Sequence, residues 1–178
     1  MTFKNNVSYQ LRDQTCVKLS LLGPGDRKQY LNGFERISAR TNIDRFLTFK
    51  KGFTEQELTY LLAIDNINHL AIGAVDCKKP DIGIGLVRYV RLKKDPRMAE
   101  AAIIIIDEYQ GKGLGSLLYR ELMFMAAENK IQHLVNLVAK DNRGMLALLR
   151  KFDARQTAEQ EHTYEFTIDL PPGLRKAG

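Results

Sequence analysis

Residues 101–120, AAIIIIDEYQGKGLGSLLYR, constrain the fold more than any other part of the chain. Four consecutive isoleucines are typical of a buried strand, and the apolar residues after Gly115 recur at helical spacing. Between them lies Gln110-Gly111-Lys112-Gly113-Leu114-Gly115. Glycines let the backbone approach a ligand closely, and a helix start presents unpaired N–H groups and the positive end of a dipole. The segment therefore predicts a strand, an anion-binding loop and a helix.

The spacing of the loop residues distinguishes between phosphate-binding loops. A Walker-type loop has Gly-x-x-x-x-Gly-Lys-Ser/Thr, whereas Lys112 is followed by Gly113. A dinucleotide-binding loop has Gly-x-Gly-x-x-Gly early in a βαβ unit, whereas Ser116 occupies the third glycine position here. Gln110, Gly113 and Gly115 instead satisfy Gln/Arg-x-x-Gly-x-Gly/Ala, which resembles the acetyl-CoA pyrophosphate loop of the GNAT family of N-acetyltransferases. A glycine-rich junction without a ligand is the alternative.

Length, charge and cysteine content narrow the class of protein. The 178 residues suit one domain, and no apolar run approaches the roughly 20 residues of a membrane-spanning helix. Cys16 and Cys77 form neither a disulfide framework nor a zinc-ligand pattern, and the start MTFKNNVSYQ lacks an apolar signal segment. We therefore expect a reduced, cytoplasmic protein without a metal. The formal charge of +6 suits an anionic cofactor as well as nucleic acid, and no basic motif with interspersed aromatics favours nucleic acid.

The predicted strands and helices follow one another in a mixed order. In chain order they are a strand at 16–22, a helix at 24–37, a helix within 38–49, a helix after the capping box Thr54-x-x-Glu57, strands at 69–76, 83–92 and 99–106, a helix at 113–129, a strand at 133–138, a helix at 142–152 and a last strand pair ending at 163–170. The GNAT fold has this order. The resemblance implies an α/β (α+β) domain whose mixed, mostly antiparallel sheet of about six or seven strands has helices on both faces. We expect an N-terminal extension at 1–14, a single GNAT domain at 15–170 and a C-terminal tail at 171–178.

Motifs outside the loop are similar to those of the bacterial Pat-type protein lysine acetyltransferase domain. The similarity spans roughly residues 16–170 and includes Gly33-Phe34-Glu35-Arg36, Arg45-Phe46, Val87-Arg88-Tyr89-Val90, Ala99-Glu100 and Asp141-Asn142-Arg143-Gly144. It implies the use of acetyl-CoA as acetyl donor, with direct transfer to a primary amine. Pat-type domains are often fused to an acyl-CoA synthetase-like or a cyclic-nucleotide-binding domain, whereas the length of this chain leads us to expect the domain standing alone. The favoured acceptor is a protein lysine, for example of an acyl-CoA synthetase. A small-molecule amine acceptor and a non-catalytic CoA-binding sensor or adaptor are the alternatives.

The resemblance also assigns residues to acetyl-CoA. In GNAT proteins the fourth and fifth strands splay apart, and the pantetheine arm lies in the gap between them. This implies that the backbone of Ile105 and Ile106 binds the pantetheine. The residues implied to bind the pyrophosphate are Gln110, Gly111, Lys112, Gly113, Leu114, Gly115 and Ser116. Asn142 is expected to contact the pantetheine, with a helix N-cap as the alternative.

Glu100 stands where Pat-type enzymes have the glutamate that is assigned as general base. An extended pantetheine would bring the thioester back along the strand towards it, and a carboxylate there can take the proton of an ammonium acceptor. The alternative is a solvated glutamate at a strand start. Many acetyltransferases have a tyrosine seven residues after the asparagine that protonates the leaving thiolate, but this position is Leu149. We expect Tyr119 to be a packing residue.

Overall fold

The computed structural model describes residues 7–171, 173 and 174, so parts of the expected extension and tail, residues 1–6, 172 and 175–178, lie outside the described residues. In chain order the elements are β1 (Val7–Gln10), β2 (Cys16–Leu21), α1 (Arg27–Phe34), α2 (Ala39–Phe46), α3 (Glu55–Leu62), β3 (His69–Asp76), β4 (Lys79–Arg91), β5 (Met98–Ile105), α4 (Leu114–Glu128), β6 (His133–Ala139), α5 (Arg143–Arg150), β7 (Arg155–Glu159) and β8 (Thr163–Asp169). None of the helices in the described part of the chain is long and apolar enough to cross a membrane.

The strands form one mixed sheet in the order β1-β2-β3-β4-β5-β6-β8-β7. All neighbours are antiparallel except β5 and β6, which run parallel. This confirms the α/β class and the mostly antiparallel GNAT sheet. The sheet has eight strands rather than the six or seven expected, because Val7–Gln10 pairs with β2 within the segment interpreted as an extension. The family's splayed fourth and fifth strands are therefore β5 and β6 here.

Helices cover both faces of the sheet. One face of β4 carries α4, whose Leu118 lies so close that a Cβ atom at Gly85 would be 3.1 Å from its Cδ1 atom. The other face carries α1, which approaches the backbone of β4 even more closely. A Cβ atom at Gly33 would lie 2.5 Å from the carbonyl oxygen of Gly83, and only glycine permits this contact. The core lies mainly between the sheet and α4, whose Leu114, Leu118 and Leu122 are fully buried.

The helix boundaries follow from local chemistry. The hydroxyl of Thr54 accepts from the amide of Glu57 at 3.2 Å, and the Glu57 carboxylate accepts from the Thr54 amide at 2.8 Å. This reciprocal pair is the capping box that the sequence predicts, and it begins α3. At the other end of the preceding helix, Leu47 closes α2 in the left-handed conformation, with φ of 61°.

The two cysteines form a disulfide, and the expectation of free, reduced thiols is wrong for this structure. Cys16 opens β2 and Cys77 directly follows β3. Antiparallel pairing of these strands puts Val17 opposite Asp76, so the cysteine Cα atoms lie 5.5 Å apart, within the range that a disulfide requires. The spacing of the two cysteines along the chain carries no sign of this contact, because it depends on the register of distant strands.

Candidate active site

A cleft opens where β5 and β6 part. The two strands pair only over residues 98–100 and 133–135, and beyond Glu100 the strand β5 is paired with β4 alone. The resulting cavity has a volume of about 620 Å³. Residues 100–105 of β5 form one wall, and α2, β6, α5 and the glycine loop provide the others. The splay that the family resemblance implies is therefore present.

The backbone of β5 presents hydrogen-bonding groups to this cleft, and of these the Ile105 carbonyl accepts from the Gln110 side chain. The Ile106 amide donates to the carbonyl of Ile84 at 3.1 Å, so this residue bonds within the sheet. In an antiparallel ladder successive residues direct their backbone groups to opposite sides. Ala101, Ile103 and Ile105 consequently direct theirs towards the cleft. Of the two residues expected to meet the pantetheine, Ile105 faces the cleft and Ile106 turns its amide to β4.

Glycine is required in the loop for conformational reasons. Gly111 and Gly113 have φ of +73° and +97°, in the left-handed region that other residues rarely adopt. Gly113 is also the N-cap of α4 and provides no side-chain acceptor, so the first amides of the helix are left to a ligand or water. Gly111, Gly113, Gly115 and Ser116 line the cleft. Leu114 is fully buried in the core instead.

The side chain of Lys112, a loop residue expected to bind the pyrophosphate, points away from the cleft. Its ammonium forms an ion pair with Asp13 at 3.0 Å and lies 5.1 Å from the centre of the Tyr109 ring. The hydrogen bond from Lys112, supported by Thr15, lowers the pKa of Asp13 to about 2. Lys112 is absent from the residues that line the cleft, and its charge is already balanced.

Hydrogen bonds tie the loop to the start of α2. The side-chain Nε2 of Gln110 donates to the Ile105 carbonyl at 3.0 Å and to the Thr41 hydroxyl at 3.1 Å. The Asp107 carboxylate accepts from the Ser38 amide and hydroxyl and from the Thr41 hydroxyl. Burial alone would raise the pKa of Asp107, but the bonds from Ser38 and Thr41 outweigh it and lower the pKa. Ser38 and Thr41 fix the loop, and no motif in the sequence marks them for this role.

Glu100 lies at the opposite end of the cleft from the loop. Its side chain is exposed and lines the cleft. Among the described residues no hydrogen bond or ion pair engages its carboxylate. The cleft wall also includes Arg45, a half-buried residue of α2 whose guanidinium lies 5.0 Å from the centre of the Phe46 ring. Burial lowers the pKa of Arg45, while the charges of Tyr30 and Glu100 oppose the shift.

Asn142 is a helix N-cap that also lies at the cleft. Its Oδ1 accepts from the Met145 amide at 2.9 Å, so it is the N-cap of α5, and the residue also lines the cleft. The Leu149 side chain, seven residues on, is fully buried in the core and cannot act as an acid. Tyr119 is buried as well, with its hydroxyl donating to Asn136 at 2.6 Å, so it serves packing.

A strand pair that parts around a cleft, with a glycine loop and a helix start at one end of the free edge, is the arrangement that the GNAT resemblance implies. The model of the acetyltransferase (GNAT) family matches residues 29–154, and the chain belongs to this family. It is 29% identical over 177 residues to the acetyltransferase Pat of Mycolicibacterium smegmatis. This alignment covers 96% of this chain and 50% of that protein. It is also 29% identical to the acetyltransferase PA5475 of Pseudomonas aeruginosa, over 76% of this chain and 73% of that protein.

Solved structures have the same fold. The GNAT domain of S. lividans PAT superimposes with a TM-score of 0.85 over 92% of this chain and 96% of that domain, at 19% identity. A cAMP-binding acyltransferase from Mycobacterium smegmatis superimposes with a TM-score of 0.66 at 26% identity, over 93% of this chain and 47% of that one. The chain thus spans about half the length of the mycobacterial proteins that it resembles.

Proposed function

We propose that the chain transfers an acetyl group from acetyl-CoA directly to a primary amine, and that the acceptor is a protein lysine. One observation carries the proposal: Glu100 and the glycine loop open into the same cleft from opposite ends of the unpaired edge of β5. Ile105 lies five positions after Glu100 in β5, and five steps of an extended strand span roughly 17 Å. A long, extended thioester ligand fits this separation.

Three groups of this chain hold the donor in the proposal. Acetyl-CoA supplies the acetyl group as a thioester. The first amides of α4 and the loop around Gly113 bind its pyrophosphate, because unpaired N–H groups and the helix dipole favour an anion. The backbone of Ile103 and Ile105 bonds the pantetheine as a neighbouring strand would. The Nδ2 group of Asn142 donates to the same arm, since its Oδ1 is engaged by Met145.

Glu100 prepares the acceptor in the proposal. An alkylamine with a pKa of about 10.4 is protonated near neutral pH and cannot attack until it loses a proton. The Glu100 carboxylate takes that proton at its free oxygen, directly or through water. Leu149 occupies the position of the usual tyrosine, so no tyrosine acid is available there. A thiolate, with a pKa of about 8.5, leaves without a dedicated proton donor more readily than an alkoxide does.

The surface next to the cleft supports a protein acceptor. Leu47 lines the cleft and is 37% exposed, and Phe49, two residues further on, is 56% exposed. Ile43, on the preceding helix α2, is 43% exposed. Exposed apolar side chains beside a reaction cleft suit contact with another protein surface. A small polar amine would bury little of this apolar surface.

The test is acetyl transfer by Glu100→Gln, with Glu108→Gln as the matched control because Glu108 is exposed but does not line the cleft. Free thiol release from acetyl-CoA is followed with purified acyl-CoA synthetase, lysine peptides, polyamines and aminoglycosides as acceptors. We expect Glu100→Gln to lower kcat by about 100- to 10,000-fold, as for loss of a general base, without weakening CoA binding. The control retains its rate.

Three outcomes contradict parts of the proposal. Full activity of Glu100→Gln refutes the assignment of the base. Transfer to polyamines or aminoglycosides but to no lysine side chain refutes the protein acceptor. Tight CoA binding without transfer to any acceptor indicates a sensor or adaptor instead of an enzyme.

A further inference from the structure

The turn between β1 and β2, residues 11–15, lies against the glycine loop. The Arg12 amide donates to the Lys112 carbonyl at 3.3 Å, and the Asp13 carboxylate pairs with the Lys112 ammonium at 3.0 Å. Within the turn, the Leu11 amide donates to the Thr15 carbonyl at 2.9 Å, which holds its shape. These contacts hold the turn on the loop.

The side chain of Arg12 passes over the start of α4. A Cβ atom at Gly113 would lie 3.6 to 3.8 Å from the Cγ, Nε and Cδ atoms of Arg12. Arg12 is exposed and lines the cleft together with Gly111, Gly113 and Gly115. Its guanidinium takes part in no hydrogen bond or ion pair within the part of the chain that the structure describes.

The two cations beside the loop are therefore in opposite situations. Lys112 is neutralised by Asp13 and turned out of the cleft, whereas Arg12 is unpaired and turned into it. The start of α4 carries a positive dipole end, so an unpaired guanidinium next to Gly113 is repelled unless an anion lies between them. Arginine is also the side chain best matched to phosphate oxygens, because its planar N–H groups donate in pairs.

We propose that Arg12 binds a phosphate group of CoA and supplies the cation beside the loop, where the Lys112 ammonium is already paired with Asp13. The inference rests on the proposed use of acetyl-CoA. Arg12 also lies outside the residues that the family model matches, 29–154. The phosphate is either the pyrophosphate at the loop or the 3′-phosphate of the adenosine, and the chemistry of the contact is the same for both.

The test measures binding rather than turnover, by calorimetric titration of the full chain with CoA, dephospho-CoA and pantetheine. The variants are Arg12→Gln, Lys112→Gln and, as the matched control, Arg120→Gln, an exposed arginine that lines neither the loop nor the cleft. We expect Arg12→Gln to weaken CoA binding about 10- to 100-fold, as for one hydrogen-bonded charge. We expect Lys112→Gln to weaken it much less and Arg120→Gln to leave it unchanged.

Each pattern of results has one meaning. A loss by Arg12→Gln with CoA and dephospho-CoA, but not with pantetheine, supports contact with the pyrophosphate. A loss with CoA alone supports contact with the 3′-phosphate. Unchanged CoA affinity, or an equal loss with pantetheine, overturns the inference. Because binding is measured, a chain that binds CoA through Arg12 but transfers nothing refutes the proposed enzyme activity and leaves the role of Arg12 intact.

Discussion

Replacing Cys16 with serine removes the covalent link between the start of β2 and the end of β3. The link joins residues 61 positions apart. In the chain-entropy description, closing a loop of that length lowers the conformational entropy of the unfolded chain by about 14 cal/mol/K. This raises the free energy of unfolding by about 4 kcal/mol at 25 °C. Unfolding entropy for a chain of 178 residues is roughly 0.37 kcal/mol/K, so Tm falls by about 10 °C.

The assay is thermal unfolding without reductant, for the native chain, Cys16→Ser, Cys77→Ser and the double variant. Both single changes remove the same bond, so we expect the double variant to lose no more stability than either single one. A reductant added to the native chain reproduces the loss, and it leaves the double variant unchanged. If the unfolded, unreduced native chain shows two reactive thiols, or if the single variants keep the native Tm, the disulfide does not form and the reasoning fails.

Two further predictions concern stability. Tyr119→Phe leaves the buried Asn136 oxygen without its donor, so we expect a loss of about 1–3 kcal/mol in a denaturant titration with kcat unchanged; a fall in kcat at native stability would contradict the packing role. Asp65 accepts from the His69 and Ile67 amides, and although burial alone would raise its pKa, these bonds and those from Asn68 hold the pKa well below the usual range. A carboxylate whose pKa is lowered by folding stabilises the fold at pH values above its pKa in the unfolded chain, which is near 3.9. This stabilisation is lost as the pH falls below that value towards the pKa in the folded chain. Asp65→Ala therefore lowers Tm at pH 7, and the difference narrows below about pH 4 in unfolding curves recorded across pH; a difference independent of pH would contradict the assignment.

The sequence predicts the parts of the fold that depend on local patterns. The four isoleucines and the glycine loop are adjacent in the chain, so their order indicates the strand, the turn and α4 directly. Thr54 and Glu57 begin α3 through bonds made within one helical turn. The family resemblance supplies the splay of β5 and β6, which periodicity alone does not contain.

The features that the sequence does not predict depend on contacts between distant segments. The strand β1 has only four residues and alternates between half-buried and exposed positions, too short a pattern to stand out from an extension. The disulfide depends on the register of β2 against β3. The direction of Lys112 is set by Asp13, which lies in a turn at the far end of the chain. The glycine loop predicts an anion-binding site. The charged side chains beside that site depend on the distant turn that contains Asp13.

The three paired residues that join β5 to β6 leave the sheet divided into two halves with few shared backbone bonds. A ligand that bridges the halves links the folding equilibrium of the chain to its own concentration. At 100 times its dissociation constant, such a ligand adds about 2.7 kcal/mol to the free energy of unfolding. If acetyl-CoA bridges the two halves as we propose, the resistance of this chain to heat and proteolysis rises and falls with the concentration of that thioester.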